Sequence, residues 1–168
     1  MIALNITDIK KMMQTLLHSS SFDRFSLQEV SVTKDVTLFL EGRIHPEYFT
    51  SEELSEPGQS LSQEFTSWGQ YRELLAGFIQ GDKAPLTFKF VLQAPDSYMR
   101  KLLASPEFTA DPDLVKALIL TFRYDNMTLT CLTGTAFTTF VPDRSLDQLW
   151  DQAIRKSLNN MQIGFEET

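Results

Sequence analysis

An alternation with a period of two residues runs through Leu86-Thr87-Phe88-Lys89-Phe90-Val91-Leu92-Gln93. Leu86, Phe88, Phe90 and Leu92 share one side of this segment, and this period is typical of a β-strand with one face in the core. The more polar second face favours an antiparallel sheet, because the strands of parallel sheets are covered on both faces and are apolar throughout. We therefore expect an antiparallel sheet with one buried face.

A first hairpin is predicted upstream of this strand. Residues 26–33 and 36–45 alternate in the same way, and the polar pair Lys34-Asp35 separates them. In the second of these strands one face carries Val36, Leu38, Leu40 and Ile44, and the other carries Thr37, Phe39, Glu41 and Arg43.

A second hairpin is predicted downstream. Residues 114–124 and 127–140 flank Asp125-Asn126, and Asp and Asn tolerate the positive φ angles that two-residue turns require. Gly134 interrupts the second strand, which predicts a β-bulge at that position.

Four helices are predicted from apolar residues that recur every three to four positions. They cover residues 5–18, 67–80, 96–104 and 145–161. Asn5 or Thr7 is expected to cap the first helix. Ser67 with Gln70, and Ser145 with Gln148, have the spacing of capping boxes.

The resulting order is α-β-β-α-β-α-β-β-α, which predicts an α+β fold with a mostly antiparallel sheet of about five strands and about four helices on its apolar face. A chain of 168 residues with 13 Phe can fill one core, so residues 1–168 are predicted to form a single globular domain. Residues 46–66 are acidic and rich in Ser, and we expect them to form a flexible surface loop.

Composition excludes several classes of protein. A charge of −7 argues against nucleic-acid binding, which needs a concentrated basic surface. No apolar run approaches the roughly 18 to 20 residues that cross a membrane. The first eight residues lack the pattern of a secretory signal, and the single cysteine, Cys131, fits a reducing compartment, so a cytoplasmic location is expected.

Catalytic and metal-binding signatures are absent from the sequence. There is no nucleotide-binding glycine motif, no His-Glu-x-x-His and no nucleophile elbow, so we predict no catalytic, metal-ligating or cofactor-binding residues. His18 is expected to sit at the end of the first helix and His45 in a turn. Cys131 alternates with Met127 and Leu129 on the same face of the predicted strand. We therefore expect it to be a buried small apolar residue and not a nucleophile.

Several short segments together form a fingerprint. They are Met1-Ile2-Ala3-Leu4, Phe22-Asp23-Arg24-Phe25, Gly81-Asp82-Lys83-Ala84-Pro85-Leu86, Arg123-Tyr124-Asp125, Leu129-Thr130-Cys131-Leu132-Thr133-Gly134-Thr135 and Trp150. With them the chain resembles, over nearly its whole length, a family of uncharacterised proteins from clostridial bacteria (Firmicutes). The resemblance implies a bacterial domain of unknown function, and it assigns no activity, ligand or site residue.

The candidate site is the polar side of the predicted sheet, which carries the cations Arg43, Lys89 and Arg123. Threonines accompany them at Thr37, Thr87, Thr121, Thr128 and Thr130. Such a surface suits a small anionic ligand, or an acidic protein segment such as residues 47–56 of this chain or of a neighbouring copy in a homo-oligomer. An ordinary solvated sheet face would show the same residues, because Thr has high strand propensity.

Two functional hypotheses follow. The first is a non-catalytic cytosolic binding or interaction domain that uses the Thr-rich sheet face. The alternative is an enzyme of unrecognised type, with a site near residues 46–66 assembled from residues that are distant in sequence.

Overall fold

One antiparallel sheet organises the protein, whose computed structural model describes residues 1–55 and 63–168. Its strands are β1 Ala3–Ile6, β2 Ser26–Thr33, β3 Thr37–Glu41, β4 Thr87–Gln93, β5 Val115–Asp125, β6 Thr128–Phe137 and β7 Phe165–Glu167. They lie in the order β3-β2-β4-β5-β6-β1-β7. The predicted α+β class and the antiparallel sheet are confirmed.

Five α-helices occur in the described part of the chain. They are α1 Ile9–His18, α2 Ser51–Ser55, α3 Trp68–Ile79, α4 Asp96–Leu103 and α5 Ser145–Asn160, with short 3-10 helices at Pro46–Tyr48 and Pro112–Leu114. The expected counts of about five strands and four helices were therefore too low. None of the described helices is long and apolar enough to span a bilayer.

The strands missed by the sequence prediction are β1 and β7, which pair with each other at one edge of the sheet. The sequence pattern predicts residues 5 and 6 as the start of the first helix, because Ile6 also fits a helical stripe. In the structure Leu4 pairs with Cys131. Asp8, and not Asn5 or Thr7 as predicted, caps α1 by accepting a hydrogen bond from the Lys11 amide. Strands of three or four residues carry little periodic signal, and their partners are distant in sequence.

The second hairpin turns one residue later than predicted. Asp125 pairs with Thr128, and the turn residues Asn126 and Met127 have φ angles of 48° and 60°. Alternation does not distinguish the two positions, because either one leaves Phe122 and Leu129 on the same face of the sheet.

Three local predictions were wrong. Gly134 pairs regularly with Ile119, and the register shift in this hairpin lies between Val115 and Ala117. Ser67 makes no side-chain cap. Ser145 is the first residue of α5, and its hydroxyl donates to Asp143 instead of capping from outside the helix.

The core lies between one face of the sheet and helices α1, α3, α4 and α5. Two fully buried tryptophans join these layers through backbone oxygens. Trp68 Nε1 donates to Leu16 O at 2.8 Å, and Trp150 Nε1 donates to Ile119 O at 2.9 Å. Side chains on the opposite face of the sheet, such as Lys89 and Arg123, are exposed.

The segment predicted as a loop over residues 46–66 contains regular structure in its described parts. Pro46–Tyr48 is a 3-10 helix, and α2 follows. Phe65 then bridges to Arg43, and Ser67 bridges to Ser26. Residues 56–62 lie outside the described residues.

Candidate functional site

Strand pairing places Lys89 and Arg123 side by side in one row across the sheet. Successive partners in this central row are Phe39, Ser31, Lys89, Arg123, Thr130, Asn5 and Glu166. Directly opposed residues on antiparallel strands have Cβ atoms about 4.5–5.5 Å apart. Two cations therefore lie next to each other at the middle of the exposed face.

Lys89 is engaged by a carboxylate on the neighbouring strand. Its Nζ lies 2.9 Å from Glu29 Oε1, and both side chains are half-exposed. An exposed pair of this kind contributes only about 0–1 kcal/mol to stability, but it offsets the local charge of the lysine.

Arg123 is different, since no carboxylate in residues 1–55 or 63–168 lies within 4.0 Å of its guanidinium. Its closest charged neighbour in the row is Lys89, and like charges in directly opposed positions destabilise a sheet. A shallow depression of about 410 Å³ begins at Arg123 and includes the side chains of Asp125, Thr128 and Thr130. Among the three predicted cations, Arg123 is therefore the one that contacts no carboxylate of the described residues.

Arg43 lies apart from the other two predicted site residues. It follows β3 by two positions, which places it four residues along the strand from Phe39 and two strands from Lys89, roughly 16 Å away. Its Nη1 contacts Glu64 Oε1 at 2.8 Å, and its guanidinium lies 5.4 Å from the Phe65 ring centroid. Arg43 therefore holds residues 64 and 65 against the end of the sheet.

The threonines predicted for this surface all lie on it. Their strand positions are on the same face of the sheet as Lys89 and Arg123, at Thr37, Thr87, Thr121, Thr128 and Thr130. Thr33 joins them, with its hydroxyl 3.0 Å from that of Thr37.

Cys131, His45 and His18 are the thiol and the imidazoles of the chain. Cys131 is fully buried as predicted, and burial raises the pKa of its thiol to about 12, so the thiolate is scarce at neutral pH. His45 Nδ1 lies 3.4 Å from Glu47, and His18 is exposed in the last turn of α1. The described residues contain no group of three or more His, Cys, Asp or Glu that could hold a metal ion.

A polar cleft of about 650 Å³ lies beside residues 63–67, where the sequence placed the alternative enzyme site. Asp23, Asp96, Ser26, Ser67 and Ser97 contribute to its lining. Asp23 is already bound by the guanidinium of Arg72, through contacts of 2.8 and 3.1 Å. The Asp23 carboxylate is therefore engaged in an ion pair that connects two segments of the fold.

Two further cavities lie on the helical side of the sheet, and sequence reasoning missed both. One, of about 370 Å³, lies between α5 and residues 20–25 and reaches Cys131 and Trp150. The other, of about 470 Å³, lies between α1 and the end of α3. Their walls come from segments far apart in sequence, so no local pattern marks them.

Comparison with known proteins gives a family for the chain. The model of a family of unknown function (DUF5721) matches residues 15–166. The chain belongs to this family. Searches of the curated proteins and of the solved structures returned no match. The family membership agrees with the resemblance seen in the sequence, and it brings no activity or ligand with it.

Proposed function

We propose that this member of the family is a non-catalytic binding domain whose exposed sheet face receives an acidic protein segment. The observation that carries the proposal is the position of Arg123, which lies beside Lys89 in the central row and contacts no carboxylate in the described part of the chain. An unpaired guanidinium on a protein of charge −7 favours an anionic partner at that point.

The breadth of the face favours a protein segment over a small ion. The depression at Arg123 is shallow and also contains Asp125, which opposes a compact anion there. The row ends at Phe39, whose side chain is 62% exposed on an edge strand. An extended acidic segment with aromatic residues can contact the cations and this ring together.

The chain itself contains a segment of that chemistry. Residues 47–55 include Glu47, Glu52 and Glu53, and Tyr48 is 84% exposed. The carboxylates of this segment form no ion pair with Lys89 or Arg123 within one molecule, as far as the structure describes it. We therefore take this segment of a second copy as the occupant.

Light scattering coupled to size-exclusion chromatography tests the proposal. The wild-type chain is expected to associate as its concentration rises, and less so at high salt, because contacts between exposed charges are screened. Lys89→Glu with Arg123→Glu should abolish association. Lys101→Glu with Lys156→Glu is the matched control, since it changes the net charge equally on two exposed helical positions.

A charge exchange makes the test specific. A chain with Glu52→Lys and Glu53→Lys should not self-associate, but it should bind the Lys89→Glu, Arg123→Glu chain. A monomer at every concentration, or a thermal shift with phosphate or citrate in place of association, would overturn the acidic-segment proposal.

The enzyme hypothesis assigns function to the polar cleft beside residues 63–67. Asp23 is held by Arg72, and the other polar side chains of the lining are Arg24, Ser26, Gln63, Glu64, Ser67, Gln93, Asp96 and Ser97. No observation favours a particular reaction there, and for this reason the binding domain is the preferred function.

We also propose that residues 1–168 act as one domain in the cytoplasm. The pairing of β1 with β6 and β7 joins segments from both ends of this sequence in one sheet, which supports a single unit. A single, buried, unpaired cysteine is compatible with a reducing compartment.

A further inference from the structure

The groove between α1 and α3 combines an apolar floor with a basic rim. Its volume of about 470 Å³ lies in the range of sites for small molecules. Met13, Leu17 and Ile79 line its sides, and Phe88 and Tyr124 line the sheet end. The last two rings are stacked with centroids 5.0 Å apart and an interplanar angle of 10°, so they pack as one apolar unit at this end of the groove.

The charged groups of this groove have one sign. Lys10 and Lys83 line it together with His18, and no Asp or Glu is among its lining residues. In the described part of the chain neither lysine takes part in an ion pair. A groove lined by two lysines and by no carboxylate contrasts with the whole chain, which has 22 acidic and 15 basic residues.

The negative partial charge at the C-terminal end of α3 is offset, so this end of the helix does not repel an anion in the groove. A helix C-terminus carries partial negative charge from its free carbonyl groups. Here Lys34 donates from Nζ to Phe78 O at 3.0 Å and to Gln80 O at 3.4 Å. These carbonyls are therefore satisfied by a cation that lies outside the lining of the groove.

We propose that the groove between α1 and α3 binds an amphipathic anion, a single soluble molecule with an apolar body and one carboxylate or phosphate group. The apolar body lies against the side chains of Met13, Phe88 and Tyr124. The anionic group lies at the rim, where Lys10 and Lys83 supply positive charge and hydrogen-bond donors, and where the His18 ring also lines the groove. The groove is on the helical side of the sheet, so this proposal stands independently of the exposed sheet face.

Decanoate, kept below its aggregation concentration, is the probe, and decanol is its uncharged counterpart of equal chain length. Protein labelled with ¹³C at the methionine methyl groups reports binding through Met13. Met127 is 82% exposed in the β5–β6 turn and serves as an internal control. We expect decanoate to shift the Met13 signal saturably and leave Met127 unchanged, and decanol to bind at least tenfold more weakly.

Substitutions at exposed positions separate binding from folding. Lys10→Glu with Lys83→Glu should weaken decanoate binding at least tenfold, whereas Lys101→Glu with Lys156→Glu should change it less than twofold. Ala84→Trp, at an exposed lining position, should block both compounds. All variants are compared by thermal melting to verify that they remain folded.

Three outcomes would overturn the proposal. They are an unchanged Met13 signal, equal affinity for decanoate and decanol, and decanoate binding that survives the Lys10→Glu, Lys83→Glu exchange. Co-sedimentation with phosphatidylglycerol vesicles without binding of monomeric decanoate would also overturn it, because the groove would then serve a membrane surface and not one molecule.

Discussion

Arg72 on α3 binds Asp23 through two parallel contacts, Nε to Oδ1 at 2.8 Å and Nη2 to Oδ2 at 3.1 Å. Its third donor, Nη1, reaches Leu17 O at 3.3 Å, so one side chain connects α3 to the end of α1 and to the segment that leads into β2. Neither side chain of the pair is more than 28% exposed. This geometry fixes how the first helix and α3 meet, and the groove proposed as a ligand site lies between them.

Arg72→Lys should destabilise the protein although it keeps the charge. A lysine cannot make two parallel contacts with a carboxylate, so we expect a loss of about 1–3 kcal/mol in the free energy of unfolding measured with urea. Lys89→Gln breaks the exposed pair with Glu29 and should cost less than about 1 kcal/mol. Equal losses for the two variants would contradict the structural role of Arg72.

Gly42→Ala and Gly77→Ala should have opposite effects on stability. A Cβ atom at Gly42 would lie 1.7 Å from the carbonyl oxygen of Leu27, so the backbone must move and we expect a loss of roughly 3 kcal/mol. A Cβ atom at Gly77 meets nothing within 4 Å, and alanine has the higher helix propensity. Gly77→Ala should therefore stabilise the protein by about 1 kcal/mol. Thermal and urea unfolding check both, and a tolerated Gly42→Ala would show that β2 and the segment after β3 are not this close.

Cys131 should give the protein an alkaline loss of stability. Burial raises the pKa of its thiol to about 12, against about 8.5 in an unfolded chain. The stability that the protonated thiol contributes is fully present below the pKa of the thiol in the unfolded chain. It is lost as the pH rises towards the pKa in the folded protein, because the unfolded state releases a proton that the folded state retains. The difference in unfolding free energy between wild type and Cys131→Ala should thus fall by about 1.4 kcal/mol per pH unit above roughly pH 9. A pH-independent difference, or fast reaction of the native thiol with a disulfide reagent at pH 8, would contradict the burial.

Asp143 should stabilise the start of α5 in its charged form. The Ser145 hydroxyl, the Thr109 hydroxyl and the Ser145 amide donate to its carboxylate, and these hydrogen bonds lower its pKa from the ordinary value. This stabilisation is present at pH values above the pKa of Asp143 in the unfolded chain. It is lost as the pH falls through the lower pKa of Asp143 in the folded protein. Asp143→Asn should therefore melt at a lower temperature than wild type at pH 7, and the two should converge in strong acid. Glu166→Gln, at an exposed position of β7, is the control and should melt close to wild type at pH 7.

Much of the fold could be predicted from short patterns because those patterns are local. Alternation in residues 86–93 identified β4, which begins at Thr87 and leaves Leu86 exposed, and the three-to-four spacing in residues 145–161 identified α5. Patterns failed where the helix period and the strand period both fit the same few residues, as at Ile6. They also failed where a residue of a charged type is buried. Asp151 is such a case, since it is 7% exposed on α5 and accepts a hydrogen bond from Thr133 on β6.

For the candidate site, parity alone placed Lys89 and Arg123 on the same face, since side chains alternate along each strand for local steric reasons. Their direct opposition depends on the register between β4 and β5, which parity does not specify, because a shift of two residues preserves the face. The partner of Lys89, the separation of Arg43 and the groove between α1 and α3 likewise depend on segments that are distant in the chain. The sequence alone therefore determined which face each strand residue occupies, whereas only the tertiary structure decided which residues meet, because register and helix packing minimise the free energy of the whole chain at once.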